Sequence, residues 1–298
     1  MPAKVLVSGS SGLVGTALLP ALQASGYEVS RLVRETAPGT DQIGWNPARA
    51  LAPDLVSGFD AVIHLAGESI VGRWTEAKKR RILESRVQGT RNLVAALVAA
   101  PQRPRVLISG SASGYYGDRG DEILREDSSS GQAFTSELCR QWEAATEAAV
   151  HAGIRTVQIR LGVVLSAAGG ALQKMLPPFR MGLGGNMGSG RQWFSWIDVQ
   201  DVVGAIQYIL KTEALQGPVN LVSPNPVTNA EFTKTLASVL SRLAIFPMPA
   251  FAARLVFGQM ADELLLASQR MEPAKLVASG YVFQKPDLRL ALSAILKK

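Results

Sequence analysis

Cysteine is nearly missing from this 298-residue chain, in which Cys139 stands alone. One thiol excludes an internal disulfide and any cysteine-rich metal site. Histidine is almost as scarce. His64 and His151 are the only two and lie far apart in the chain, so no histidine-built metal site is expected. Long apolar runs are lacking as well. The longest candidate, Leu93 to Ala100, is far short of the roughly 18 residues a membrane span needs, and no membrane partner is expected. The opening Met-Pro-Ala-Lys leads straight into a strand-like run without the regions of a secretory signal, which points to a cytoplasmic protein. With 47% apolar and 18% charged residues, the composition excludes disordered and fibrous classes. The length fits one large α/β domain or two smaller ones.

Acidic residues are the minority charge: 24 Asp and Glu face 31 Lys and Arg, for a net charge of +7. Such an excess suits nucleic acid or an anionic small ligand. The only dense basic run, Lys78-Lys79-Arg80-Arg81, lies in a helical pattern. It reads as a solvated helix face or a local contact with an anionic cofactor, and no nucleic-acid partner is expected.

Along the chain, short apolar runs alternate with helical patterns. Lys4 to Ser8 reads as a buried strand, and Leu13, Val14, Ala17, Leu18, Ala21 and Leu22 recur at helical spacing up to Gly26. Glu28 to Val33 and Ala61 to Leu65 read as further strands. Residues 75–100 form a long helix closed by Pro101. Val106 to Ser109 is a strand, 110–132 a polar loop, Glu137 to Ala152 a helix and Val157 to Leu161 a strand. This alternation predicts a parallel sheet covered on both faces. From about residue 166 to 192 the chain is rich in Gly and Pro, with no long periodic segment. Asp198 to Lys211 reads as a helix and Pro218 to Val222 as a strand returning to the sheet. Beyond Pro226 the chain is mostly helical.

Three motifs carry chemistry. Between the first strand and helix stands Gly9-Ser10-Ser11-Gly12-Leu13-Val14-Gly15. Gly9 permits the tight turn, Gly12 lets the backbone approach a pyrophosphate, and Gly15 allows close helix–strand packing. The helix N-terminus then offers N–H groups and a positive dipole end to phosphates. At the end of the second strand, where an acid would hold a ribose 2′-OH, stands Arg34. A guanidinium suits a 2′-phosphate and so favours NADP (NADPH), with Glu35 just beyond as the alternative ribose ligand. After the strand at 61–65, Leu65-Ala66-Gly67-Glu68 leaves room for the adenosine half. Glu68 reads either as a hydroxyl ligand or as a helix cap.

These residues resemble the extended short-chain dehydrogenase/reductases of the sugar-nucleotide epimerase kind. Further strings narrow the resemblance: Arg-Trp-Thr at 73–75, Ser-Gly-Ser-Ala-Ser-Gly-Tyr-Tyr-Gly-Asp at 109–118, Met-Leu-Pro-Pro-Phe-Arg at 175–180, Gly-Leu-Gly-Gly at 182–185, Gly-Ser-Gly-Arg-Gln at 188–192 and Val-Ser-Pro at 222–224. Together they look like the atypical branch labelled "epimerase family protein", whose members carry a short C-terminal domain of unassigned role. The likeness covers nearly the whole chain. It implies an NADP-binding Rossmann fold, with Arg86 and Val163 added to the cofactor-binding residues.

The departures from that family shape the functional reading. The resemblance puts Phe134 where the usual catalytic tyrosine stands and Leu138 where the lysine stands, and neither moves a proton. The usual serine falls on Ala112 in the best register, with Ser111 and Ser113 one step away on either side. Tyr116 is the first replacement for the missing acid/base. Tyr115 is a substrate contact, and Cys139 reads as a semi-buried thiol. Arg191, in Gly188-Ser-Gly-Arg ahead of Trp196-Ile-Asp-Val199, resembles an arginine that grips a substrate phosphate; the alternative is pairing with Asp198. The expectation is an α/β protein with a Rossmann-type doubly wound parallel sheet (1–165, joined by 197–222) and a smaller, mostly helical lobe (166–196 and 223–298). It would be an NADP-binding oxidoreductase or epimerase-like protein acting on a small, anionic substrate, as a monomer or homodimer. The alternative is a catalytically degenerate NADP-binding regulator or interaction module, in keeping with the cell-division labels of some relatives.

Overall fold

A computed structural model describes residues 3–34 and 41–296; Glu35 lies outside the described residues. The chain runs β1 (Lys4–Ser8), α1 (Leu13–Ala24), β2 (Glu28–Val33), β3 (Gln42–Gly44), β4 (Ala61–His64), α2 (Glu76–Ala99), β5 (Val106–Ala112), β6 (Ile123–Leu124), α3 (Phe134–Ala144), α4 (Glu147–His151), β7 (Arg155–Leu161), β8 (Val163–Leu165), α5 (Gly170–Arg180), β9 (Trp193–Phe194), β10 (Trp196–Asp198), α6 (Val199–Lys211), β11 (Gly217–Leu221), β12 (Val227–Thr228), α7 (Asn229–Val239), α8 (Ala250–Phe257), β13 (Arg270–Met271), α9 (Ala274–Ala278) and α10 (Leu288–Leu296). Seven strands form one sheet in the order β11-β7-β5-β4-β1-β2-β3, and every pairing in it is parallel. This is a Rossmann-type doubly wound sheet whose order reverses at β1, between β2 and β4.

Strand periodicity explains the two layers. Val5 and Val7 pack with Leu18, Leu22, Val202 and Ile206, on the side of α1 and α6. The intervening Leu6 packs with Leu93 and Leu97 of α2. Alternate residues of a strand face opposite sides, so both faces must be apolar, which is why β1, β4 and β5 read as nearly unbroken apolar runs.

The segment 166–192 departs from expectation, because Gly170–Arg180 is helical with Pro177 and Pro178 inside it. A proline in a helix interior removes an N–H and ordinarily breaks the helix. Here Leu172, Leu176 and Phe179 sink into a third core with Trp196 and Phe232, and that burial holds the helix together. The helix expected from Glu137 begins earlier, at Phe134, and is interrupted between α3 and α4.

Under α3 the sheet carries a buried polar network. Arg160 on β7 is 2% exposed and makes a two-pronged ion pair with Glu143, both bonds at 2.9 Å. Arg160 also donates to the Tyr116 hydroxyl, which in turn donates to Asn220 on β11. Removing one partner of a buried pair leaves the other charge unpaired, which costs about 3–5 kcal/mol. Glu143→Ala is therefore expected to lower the free energy of urea unfolding by about that amount with an unchanged m-value. A loss under about 1 kcal/mol would show that the pair is in effect solvated.

Candidate functional site

The order reversal at β1 brings the loops after β1, β2 and β4 together at the carboxyl edge of the sheet. Gly9 has φ +70°, and a side-chain carbon there would stand 2.6 Å from the Leu65 carbonyl carbon. At Gly15 a side chain would collide with the Gly9 carbonyl oxygen. Both positions therefore need glycine for the turn to pass β4 and for α1 to lie against it. α2, α6 and α7 are capped by Thr75, Asp198 and Thr228. The N-cap of α1 is Gly12, with no side-chain cap and no acid in the first turn. Its first N–H groups are left to an outside acceptor, at the positive end of the helix dipole. Ser11 is exposed, Ser10 is 7% exposed, and Val14 packs on the α1 side of the core. Leu13 faces the turn Gly169–Gly170 that leads into α5, so α5 starts beside the glycine turn.

A polar chain supports this edge from below. His64, fully buried, shares hydrogen bonds with Ser8 at 2.6 Å and with Thr90 at 3.0 Å, and Trp142 donates to Thr90. Arg86 braces the 65–68 loop from behind: it donates to the Glu68 carbonyl at 2.9 Å and lies over the Trp142 ring. Leu65 and Ala66 pack against the cores on the two faces of the sheet, and Gly67 sits against the Arg86 guanidinium. Arg34 is exposed at the end of β2.

The Glu68 carboxylate is no helix cap, which corrects that alternative; it stands in ion pairs. It accepts from Lys78 at 2.7 Å and lies 3.9 Å from Arg81, while Thr75 caps α2. The Lys78 hydrogen bond, with Arg81 and Arg34 nearby, holds its carboxyl below the usual carboxylate range.

The catalytic candidates separate sharply. Tyr116 is fully buried and its hydroxyl is engaged by Arg160, Asn220 and the Arg125 carbonyl. Burial pushes its pKa up to about 12. Its place is in the buried network under α3. Ser111 is likewise 2% exposed and donates to Glu143 at 2.6 Å. Both are corrected from catalytic to structural, because a side chain that closes a buried network is not available to substrate. Cys139 is buried against the Ala112 carbonyl, and burial pushes its thiol up to about 12. Ser113 and Tyr115, half-buried at the end of β5, are the hydroxyls of this loop that make no side-chain hydrogen bond among the described residues. The Arg160 guanidinium stacks 3.4 Å from the Tyr115 ring centre.

Phe134 and Leu138 lie in an apolar cluster with Trp74, Ile82 and Met260, and Phe134 meets the Trp74 ring edge-on at 5.3 Å. Elsewhere in the chain, Tyr281 and Lys285 have the Tyr-x-x-x-Lys spacing. They stand in an irregular segment rather than on a helix, with Tyr281 donating to Asp201 and Lys285 to Asp198. Without a helix the spacing does not stack the two side chains on one face. Asp198 is thus paired with Lys285, not with Arg191. Arg191 is exposed on the 188–192 turn and pairs with no carboxylate among the described residues. Val163 lies in β8, beyond the end of β7, beside Trp196.

Comparison with known proteins places this arrangement. Residues 5–222 match the NAD dependent epimerase/dehydratase family, and residues 248–295 match a domain of unknown function, DUF1731. The chain belongs to the NAD dependent epimerase/dehydratase family. It is 42% identical to the epimerase family protein Mb2239 of Mycobacterium bovis, over 97% of this chain and 96% of that one. It is 39% identical to human epimerase family protein SDR39U1, over 98% and 99%. A crystal structure of human SDR39U1 with NADPH superposes with a TM-score of 0.89 at 37% identity, covering 98% of both chains. MoeE5, crystallised with UDP-glucuronic acid and NAD, shares the fold with a TM-score of 0.78 at 19% identity.

Sequence reasoning missed how the C-terminal segment reaches the site. The Glu263 carboxylate, on a single π-helical turn at Ala261–Leu265, accepts from both the Thr135 N–H and the Thr135 hydroxyl at 2.8 Å. It caps α3 beside Phe134, and Met260 closes the apolar cluster there. No local pattern marks this, because the partners are more than a hundred residues apart in the chain.

His64 gives this site a pH signature. Burial pushes its pKa down to about 4, against about 6.5 in an unfolded chain. Between those values the unfolded state holds the extra proton. Stability is then complete above the unfolded value and is lost as pH falls, by about 1.4 kcal/mol per unit. Urea midpoints measured at about pH 7 and about pH 5 should fall with acid in the native chain and less steeply in His64→Asn. Equal acid sensitivity in both would place the titrating group elsewhere.

Proposed function

We propose that this protein is an NADPH-dependent oxidoreductase or epimerase-like enzyme acting on a small, anionic substrate without the usual Tyr/Lys pair. The observation that carries the cofactor half is the uncapped N-terminus of α1 behind Gly9, with Arg34 at the end of β2 and the α2 cations Lys78 and Arg81 against the loop after β4. This cradle fits a pyrophosphate: side-chain carbons are excluded at Gly9 and Gly15, and the donors on offer are N–H groups. Arg34 is the residue for the 2′-phosphate, and the NADPH bound by human SDR39U1 supports that choice. When bound, the dinucleotide supplies hydride chemistry at its nicotinamide ring.

The chain's own residues then have distinct tasks. The 9–15 turn holds the pyrophosphate, and the 65–68 loop, braced by Arg86, walls the adenosine side. Val163 and the Leu13–Gly170 contact confine the nicotinamide side. Ser113 and Tyr115 are the hydroxyls that meet the substrate, and Arg191 is the cation that receives its negative charge. Phe134, Leu138 and Trp74 keep water from that wall and supply no proton. The same apolar filling favours a second reading, a cofactor-binding regulator that has lost ordinary catalysis.

Arg34→Asp tests the cofactor assignment. Hydrogen bonds to charged groups contribute about 1.5–3 kcal/mol each. Calorimetry should show NADPH binding weakened by that order, with NADH affected far less. Equal losses for the two cofactors would contradict the role of Arg34.

A further inference from the structure

We propose that Glu68 is a built-in competitor for the 2′-phosphate: its carboxylate occupies Lys78 and Arg81, and thereby sets how strongly the crevice distinguishes NADPH from NADH. The proposal rests on the reading of the crevice as the NADPH site, and it deepens that reading.

The geometry separates what is fixed from what can move. The Glu68 N–H donates to the Ser85 hydroxyl at 2.9 Å, and its carbonyl accepts from Arg86 at 2.9 Å, so both main-chain groups are anchored on α2. The carboxylate arm is a third exposed and reaches Lys78 and Arg81 one helical turn apart. Lys78 itself is only 15% exposed. This resolves the basic run on α2. Lys79 turns away to Glu76, whereas Lys78 and Arg81 lie on the side that faces the loop after β4. Arg34 follows β2 and the 65–68 loop follows β4, at the same carboxyl edge of the sheet with only β1 between the two strands, and the Arg34 charge adds to those of Lys78 and Arg81 in holding the Glu68 carboxyl down.

Charge supplies the rest of the argument. Arg34, Lys78 and Arg81 bring three positive charges and Glu68 one negative. A phosphate monoester carries about −1.5 to −2 near neutral pH. Its approach to Arg34 sets it against the Glu68 carboxylate, and the two anions then contend for the same ammonium and guanidinium. An unphosphorylated ribose meets no such opposition. Glu68 therefore weakens NADPH selectively, and Lys78 and Arg81 strengthen it selectively.

The test is titration of the intact protein and of Glu68→Gln, Arg81→Gln and Arg34→Asp with NADPH, with NADH and with adenosine 2′,5′-bisphosphate, each at low and high salt. Glu68→Gln keeps the size of the side chain and removes its charge. It is expected to tighten NADPH and the bisphosphate roughly two- to fivefold, a range set by partly exposed charge pairs, and to leave NADH nearly unchanged. The gain should shrink at high salt. Arg81→Gln should weaken the phosphorylated ligands alone. If Glu68→Gln weakens NADPH, or shifts NADPH and NADH together, the competitor role is overturned and Glu68 is a support for Lys78 instead. If the intact protein shows no preference for NADPH and Arg34→Asp affects both cofactors alike, the cofactor reading itself fails, and this proposal falls with it.

Discussion

The closeness of the turn after β1 to the strand end after β4 is the constraint on which the rest of the molecule depends. Gly9 passes Leu65 at a distance that excludes even a methyl group, and Gly15 lets α1 start against the same turn. The consequence is a helix N-terminus aimed into a crevice, with no side chain of its own to satisfy it. The buried Ser8–His64–Thr90–Trp142 chain ties the two strand ends to α2 and α3 beneath that crevice. A neutral histidine suits this position, because a buried charge there would have no counter-ion.

The start of α3 is packed in apolar material. Phe134 and Leu138 are held by Trp74 and Ile82 from the start of α2 and by Met260 from the C-terminal segment. Glu263 fixes the first turn of α3 through Thr135. The C-terminal segment thus packs on the start of α3. The 118–121 loop is joined to it through Ser268, which also receives the Trp193 N–H.

Much of the fold was legible because it depends on residue type and spacing. Glycines at 9, 12 and 15, between an apolar run and an amphipathic helix, mark a turn that excludes a side chain at Gly9 and Gly15. Arg34 could be placed because it ends a strand whose limits are clear. α5 was not legible, because Pro177 and Pro178 carry a strong local signal that tertiary burial of Leu172, Leu176 and Phe179 overrides. Tyr116 and Ser111 were misjudged for a related reason. A hydroxyl reads the same in sequence whether it faces substrate or closes a buried network, and only the distant partners Arg160, Glu143 and Asn220 decide. Glu68 shows the same limit in reverse: its ion pairs come from the very basic run that reads as a solvated face.

The central claim is that NADPH lies along the carboxyl edge of β1, β2 and β4 with no tyrosine–lysine pair at its reactive end. A crystal structure of the complex with NADPH tests it most directly. The account predicts the pyrophosphate on the N–H groups of the 9–15 turn and Phe134 on the nicotinamide side. It also predicts Ser113 or Tyr115 as the nearest hydroxyl to the ring. A nicotinamide with the Tyr281 hydroxyl and the Lys285 ammonium beside it would contradict the account. So would one that lies more than about 8 Å from Phe134, beyond hydrogen-bond reach even through one water.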